Sequence, residues 1–250
     1  MSADYGMAWM MVFLRSLGVI MQLPFLTGRG LPIMVRVGLG ACLATILAGI
    51  VPTAPLPGSL GGIAFAAGGE VLLGLLLGFV TQLTFNAVEM TGRIVSPEIG
   101  LSATPGLGVP EPASEPLAAL FSSFAVILFF IFRGHEMLLS AFAHSFQMAP
   151  AGHVALEPNA PDQLIRATSH VIELGVRMAA PFIGMNFLVT LAFSVLGRAV
   201  PKMNAFVLSF PVRALAGLGL LATAGGLMAR YLYVEFGEAP LRMLQLLPVP

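Results

Sequence analysis

The chain has 250 residues, 57% of them hydrophobic and only 10% charged, with a mean hydropathy of +0.92. So little polar surface could not clothe a water-soluble domain of this size, and the composition points to a membrane or membrane-assembled protein. Twelve cations balance twelve anions and Lys202 is the single lysine, so there is no basic footprint for nucleic acid, while a lone cysteine, Cys42, excludes an internal disulfide or thiolate metal cluster.

Six apolar segments follow one another, at residues 7–26, 35–51, 63–90, 117–132, 176–196 and 206–229. Their length and lack of strand-like alternation predict helices. The fold class is therefore an all-α integral membrane protein of about six hydrophobic helices, several of them broken or arranged as hairpins. Uncharged runs 37–51 and 214–229 hold about 15 and 16 residues, short of the ~20 that cross a hydrocarbon core unless flanking arginines snorkel. Arg29, Arg36, Arg198 and Lys202 fall on one expected side and Arg133, Arg166, Arg177, Arg230 and Arg242 on the other, so charge bias gives no orientation. Helices held by partner subunits instead of lipid would show such weak asymmetry.

The N-terminus does not read as a signal peptide, since Asp4 replaces a positive start, Arg15 interrupts the apolar run and no small-residue cleavage site follows. The first helix is expected to stay. Pro24 and Pro32, either side of a glycine-rich turn at 28–30, read as helix breakers, with Arg15 and Arg36 as snorkelling arginines. Pro52, Pro55, Pro57 and the glycines up to Gly62 form an uncharged turn. In the third segment Gly74 and Gly78 have the spacing that lets a second helix approach closely. At ~100° per residue Glu70, Gly74 and Thr81 share one face, and a carboxylate in such a segment is expensive unless paired or wetted, so Glu70 should face protein or a polar cavity.

Residues 92–116 hold Pro97, Pro105, Pro110, Pro112 and Pro116 with Gly100, Gly106 and Gly108, which predicts no uninterrupted helix. Such a connector is either a solvated loop or a shaped plug lining a cavity. His135 and His144 are nine apart, on roughly opposite faces of a continuous helix, and no ligand pair at helical spacing accompanies them, so no metal or other cofactor is expected. Residues 151–167 read as a solvated loop before a fifth helix that starts near Pro161 and Asp162, the aspartate serving as cap. Arg177 and Pro181 precede the longest uncharged run, and Gly217, Gly219, Gly225 and Gly226 give the last helix a narrow face.

Between the last two segments the chain reads Leu196-Gly197-Arg198-Ala199-Val200-Pro201-Lys202-Met203-Asn204-Ala205-Phe206-Val207-Leu208-Ser209-Phe210-Pro211-Val212-Arg213. Pro201 and Pro211 should break it into short pieces, with Arg198, Lys202 and Arg213 at helix ends. The string R-A-x-P-x-M-N-x-F followed by x-x-x-F-P-x-R resembles the signature of the export-gate family called FliR in flagella and SctT in injectisomes. Further matches run along nearly the whole chain: Arg15 with Pro24, Pro32 with Arg36, the Gly69-Glu70 phrase through Gly74, Gly78 and Phe79, a loop core of Gly92, Ile94, Gly100 and Ser102, and His135, Ser145, Phe146 and Pro150 as markers of a hairpin turn. Glu98 departs from the pattern, standing where the family commonly carries glutamine.

The resemblance implies a single membrane export-gate domain over 1–250, packed within a hetero-oligomeric gate in the bacterial inner membrane, at a flagellar basal body or injectisome base. It implies FliP-like and FliQ-like membrane subunits as partners, with a FliB-type or FlhB-like switch subunit, around a conduit for unfolded export substrates; lipid surrounds the assembly and the ATPase and proton-driven component are other polypeptides. It also turns the 91–116 segment into a candidate plug loop, with Pro97, Glu98, Gly100, Pro105, Leu107, Pro110 and Pro112 at the passage. Arg15, Pro24, Arg36, Glu70, Gly74, Gly78, His135, Arg198, Pro201, Asn204, Phe206 and Pro211 become packing or assembly residues. The flagellar branch is favoured because injectisome-specific features are lacking. No phosphate-binding loop, nucleophile elbow or zinc-protease pair occurs, so no enzyme is expected. A rival reading is a small proton-coupled secondary transporter with Glu70 or Glu89 at its site.

Overall fold

The computed structural model describes residues 3–27, 31–52, 58–100, 116–154, 156–200 and 204–248. Eight helices order them: α1 (Ala3–Gln22), α2 (Pro24–Thr27), α3 (Ile33–Leu47), α4 (Leu60–Glu98), α5 (Pro116–Ile131), α6 (Gly134–Met148), α7 (Ala160–Ala199) and α8 (Ala205–Gln245). No strand occurs among the described residues. By length and composition α4, α7 and the Val207–Gln245 part of α8 can each cross a membrane, and α5 with α6, bent by 70°, can form a fourth, broken span. At 1.5 Å per residue a 39-residue helix is about 58 Å long, roughly twice a hydrocarbon core.

Several helices run on where prolines and glycines predicted a stop. α4 passes through Gly92 and Pro97 to Glu98, so residues 91–98 of the expected loop are helical, and 101–115 lie outside the described residues. Gly92 is buried because a Cβ there would meet the backbone of Ala118 at the start of α5; it serves a close approach, not a break. Pro97 falls in the last turn, where little helix remains to be disrupted. The stop comes at Gly100, whose φ of 77° is left-handed and ends the helix as a C-terminal glycine does. Pro211 likewise sits inside α8 instead of dividing it. Of the residues expected to mark a hairpin turn, His135, Ser145 and Phe146 lie within α6 and Pro150 just after it; the chain turns at Arg133, whose φ of 58° is left-handed. There Gly134 lies so close to the Phe129 ring that a side chain would overlap it.

Two compact units emerge. The first comprises Met1–Thr84, Phe129–Ser169 and Glu235–Pro250, the second Phe85–Leu128 and His170–Val234. In the first, α1 packs on α3 and its backbone lies against the glycines of α4. Leu73 and Leu77 of α4, Phe142 and Phe146 of α6, and Met243 and Leu246 at the end of α8 are buried in this core, and the Phe129 and Phe236 rings meet edge-on at 5.2 Å. In the second, Gly175 of α7 approaches Ala87 and Met90 of α4, and Gly217 of α8 abuts Ile99. Of the four glycines expected to give α8 a narrow face, Gly219, Gly225 and Gly226 have no such neighbour.

Candidate functional site

In the first unit two ionisable side chains from apolar helices meet. Arg15 Nε and Nη2 donate to Glu70 Oε2 and Oε1 at 2.5 and 3.0 Å, and both side chains are wholly buried. Desolvation makes such a pair tolerable only when the remaining donors and lone pairs are also matched. Most are: Nη2 donates to the Ala149 carbonyl at 2.9 Å and Nη1 to Ser145 Oγ at 3.3 Å. Glu70 Oε1 also accepts the Gly152 N–H at 2.8 Å, and the guanidinium lies 4.0 Å from the Phe146 ring centroid, a cation–π contact. The approach depends on glycine: a Cβ on Gly74 would collide with the Arg15 carbonyl, one on Gly78 with Val19 and Gln22, and one on Gly18 with Val71, Gly74 and Leu75. Arg15, Glu70, Gly74, Ser145 and Phe146, far apart in sequence, therefore belong to one cluster.

In the second unit the last turn of α4 is tied to α7. Asn186 Nδ2 donates to Glu98 Oε2 at 2.5 Å. One turn on, the Thr190 hydroxyl donates to the Asn186 carbonyl at 2.7 Å and accepts from Arg213 Nη2 of α8 at 3.2 Å. The Arg213 guanidinium is 5.8 Å from the Phe210 ring centroid, and a Cβ on left-handed Gly100 would stand 3.4 Å from that ring. Sequence reading passed over Asn186 and Thr190 as part of an uncharged run. The signal was there, since Asn186 is the only amide or charged side chain between Arg177 and Arg198, and an unprovoked polar group in such a run invites a partner.

The other expected residues are dispersed. Pro24 opens α2 after the break at Leu23, as proline at a first helical position does. Arg36 is half-buried on α3 and donates to the Leu31 carbonyl at 3.2 Å. His135 lies tilted against Phe130, centroids 5.2 Å apart, and its Nε2 is 3.9 Å from Glu136. Arg198 is exposed at the end of α7 and Pro211 on α8, while Phe206 lies in the first turn of α8. Asn204 caps that helix, its Oδ1 accepting the Val207 N–H at 3.3 Å. Asp162 stands within the first turn of α7, two residues after the helix begins, and so is not its cap. Pro105, Leu107, Pro110, Pro112 and Pro201 lie outside the described residues. Glu89 forms a surface pair with Arg93 one turn away at 2.6 Å. Among the described residues, no group of three or more His, Cys, Asp or Glu could hold a metal ion.

Comparison with known sequences gives these positions a context. The sequence model of a family described as bacterial export proteins, family 1, matches residues 7–239. Flagellar biosynthetic protein FliR of Escherichia coli (strain K12) is 29% identical over 242 residues, which is 95% of this chain and 93% of that one. FliR of Caulobacter vibrioides is 28% identical over 85% of this chain and 86% of its own length. Yop proteins translocation protein T of Yersinia pestis is 30% identical over 62% of this chain and 60% of its own.

Proposed function

Because the chain belongs to family 1 of the bacterial export proteins, we propose that it is a channel-building subunit of a flagellar type III export gate in the bacterial inner membrane. The observation that carries this is the extent of the match, from residue 7 to residue 239, which runs from the first described helix into the last. A flagellar system is favoured over an injectisome because similarity to the flagellar relative spans 95% of the chain and that to the Yop translocation relative 62%. The partners are FliP-like and FliQ-like membrane subunits and an FlhB-like switch subunit, and the passengers are unfolded export substrates.

Support for assembly comes from the apolar faces that the chain leaves uncovered. On α7, Phe187, Leu188, Leu191 and Val195 are all more than half exposed, at spacings that form one stripe. The rival transporter reading loses its residues: Glu70 has both oxygens committed to partners, and Glu89 sits in an exposed pair. The segment from Pro97 to Pro116 is proposed to line or block the passage, with Glu98 and Leu107 nearest it.

Two experiments test the proposal. A clean deletion should abolish motility and the appearance of flagellar substrates outside the cell, with the chain supplied in trans restoring both, and pull-down of a tagged copy should recover two smaller membrane subunits. Export that persists without the chain would overturn the reading. Replacing Pro105 to Pro112 by a short flexible linker should keep assembly and make resting cells leak ions; unchanged permeability would reject the plug.

A further inference from the structure

The buried ion pair of the first unit also grips a stretch of backbone. α6 gives way at Ala149, whose backbone is extended, and the chain then turns. The His153 N–H donates to the Pro150 carbonyl at 3.0 Å and Gly152 is left-handed at a φ of 92°, the pattern of a type II turn with glycine at its third position. Ala149 and Ala151 are buried, and the Ala151 N–H is taken by the Pro52 carbonyl at 3.1 Å. Two groups of this turn have no main-chain partner among the described residues, the Ala149 carbonyl and the Gly152 N–H. Three residues apart, such groups commonly bond to each other. Here Arg15 Nη2 donates to the carbonyl at 2.9 Å and Glu70 Oε1 accepts from the N–H at 2.8 Å, so cation and anion stand in the place of that bond, each matched in polarity to the group it meets. A cation suits the position, because a helix end presents unpaired carbonyls and negative partial charge. Beside the carboxylate, Val154 lies against Gly69, where a Cβ would stand 3.0 Å from it.

We propose that Arg15 and Glu70 are positioning residues for the turn that leads from α6 toward α7: they hold it by polarity, cation on carbonyl and anion on N–H, so that the turn keeps its place only while α1 is seated on α4. A bare ion pair is satisfied by any geometry that brings its charges together. This one is divided between two helices, and the close approach at Gly18, Gly74 and Gly78 is what brings both halves within reach of the turn. A shift of α1 against α4 parts the donor from the acceptor and frees residues 149–153 without breaking a bond inside α6. The coupling stands apart from the reading of the chain as a conduit subunit.

Exchanging the two charges tests it, because the attraction survives the exchange and the polarity toward the turn does not. Three variants of the tagged full-length chain are compared with the parent in membranes by amide hydrogen exchange. In Arg15→Met/Glu70→Leu, which has no charge to bury, residues 151–153 should exchange on the order of tenfold faster than in the parent while residues 73–80 stay within about twofold. In Arg15→Glu/Glu70→Arg a carboxylate faces the Ala149 carbonyl and a guanidinium the Gly152 N–H. Residues 151–153 should then exchange at least as fast as in the uncharged variant, and the protein should accumulate to a lower level than that variant in quantitative blots. Gly78→Ala touches neither charge; by wedging α1 at Val19 and Gln22 it should speed exchange at residues 151–153 several-fold.

Parent-like exchange at 151–153 in the uncharged variant would overturn the proposal. So would a swapped variant restored to the parent's exchange or accumulation, since the pair would then serve the core by its charges alone. If neither double variant is recovered from membranes, Gly78→Ala decides: faster exchange at 151–153 supports the coupling and unchanged exchange overturns it. None of these readouts depends on whether the chain exports anything, so failure here and failure of the conduit reading are distinct.

Discussion

An arginine and a carboxylate each lose several kcal/mol of hydration on entering an apolar core, and their attraction offsets that loss only while both are present. Glu70→Ala would leave the Arg15 guanidinium buried beside Ser145, Ala149 and the Phe146 ring without its counter-ion. We expect a cost of about 3–5 kcal/mol, seen as loss of the chain from membranes in quantitative blots. Arg15→Met with Glu70→Leu removes both charges at once and should accumulate better than either Arg15→Met or Glu70→Leu alone; equal depletion of all three would mean that shape, not charge, decides the site. At Asn204 the stake is smaller. Asn204→Ala loses the cap on Val207 and should destabilise α8 by about 1 kcal/mol, whereas Asn204→Asp should keep it, as thermal melts of the purified gate would show. That Glu70 needed a partner was legible from its apolar neighbours. That the partner is Arg15 was not, because 55 positions separate them and only the approach of α1 to α4 brings them together.

Glycines and prolines carry the same ambiguity at the scale of the helix. Each marks either a place where a helix fails or a place where something comes close, and only the neighbour tells which. Gly74 and Gly78 were legible as a packing face from their spacing, and α1 occupies it. Gly92 read as the start of a loop and is instead the seat of Ala118, because α5 returns against α4 there. Pro97 and Pro211 read as breaks, yet each lies near one end of a long helix whose remaining hydrogen bonds carry it past the missing donor. The contrast yields a prediction within one residue type. Gly74→Val, facing the Arg15 carbonyl, should force α1 away and deplete the protein several-fold. Gly219→Ala, with nothing within 4 Å of its Cβ, should be neutral or stabilising by up to about 1 kcal/mol. Protease resistance of the assembled gate would rank them, and a Gly74→Val protein as resistant as the parent would contradict the packing described.

For the molecule as a whole, the question is what covers the helices that neither span nor bury. α3 is 15 residues long and buries only Gly40 and Ala44, while Ile33, Met34 and Ile46 stand largely exposed. At about 23 Å it falls short of a ~30 Å hydrocarbon core, and lipid cannot satisfy the free backbone groups at the end of a helix that stops inside it. Lipid can coat an apolar stripe such as Phe187 to Val195, but it cannot finish α3. We expect protein to do so, in keeping with membership in an export family whose flagellar relative matches this chain almost end to end. Made alone, the chain should therefore be short-lived, and co-expression with the two smaller membrane subunits proposed as its partners should lengthen its half-life several-fold in a pulse-chase of isolated membranes. The dependence should be strongest at α3: introducing Asp at Met34 or Ile46, both exposed in the chain by itself, should leave the short half-life of the lone subunit unchanged and abolish the protection that partners give. Equal half-lives with and without partners would mean that the chain completes its own surface.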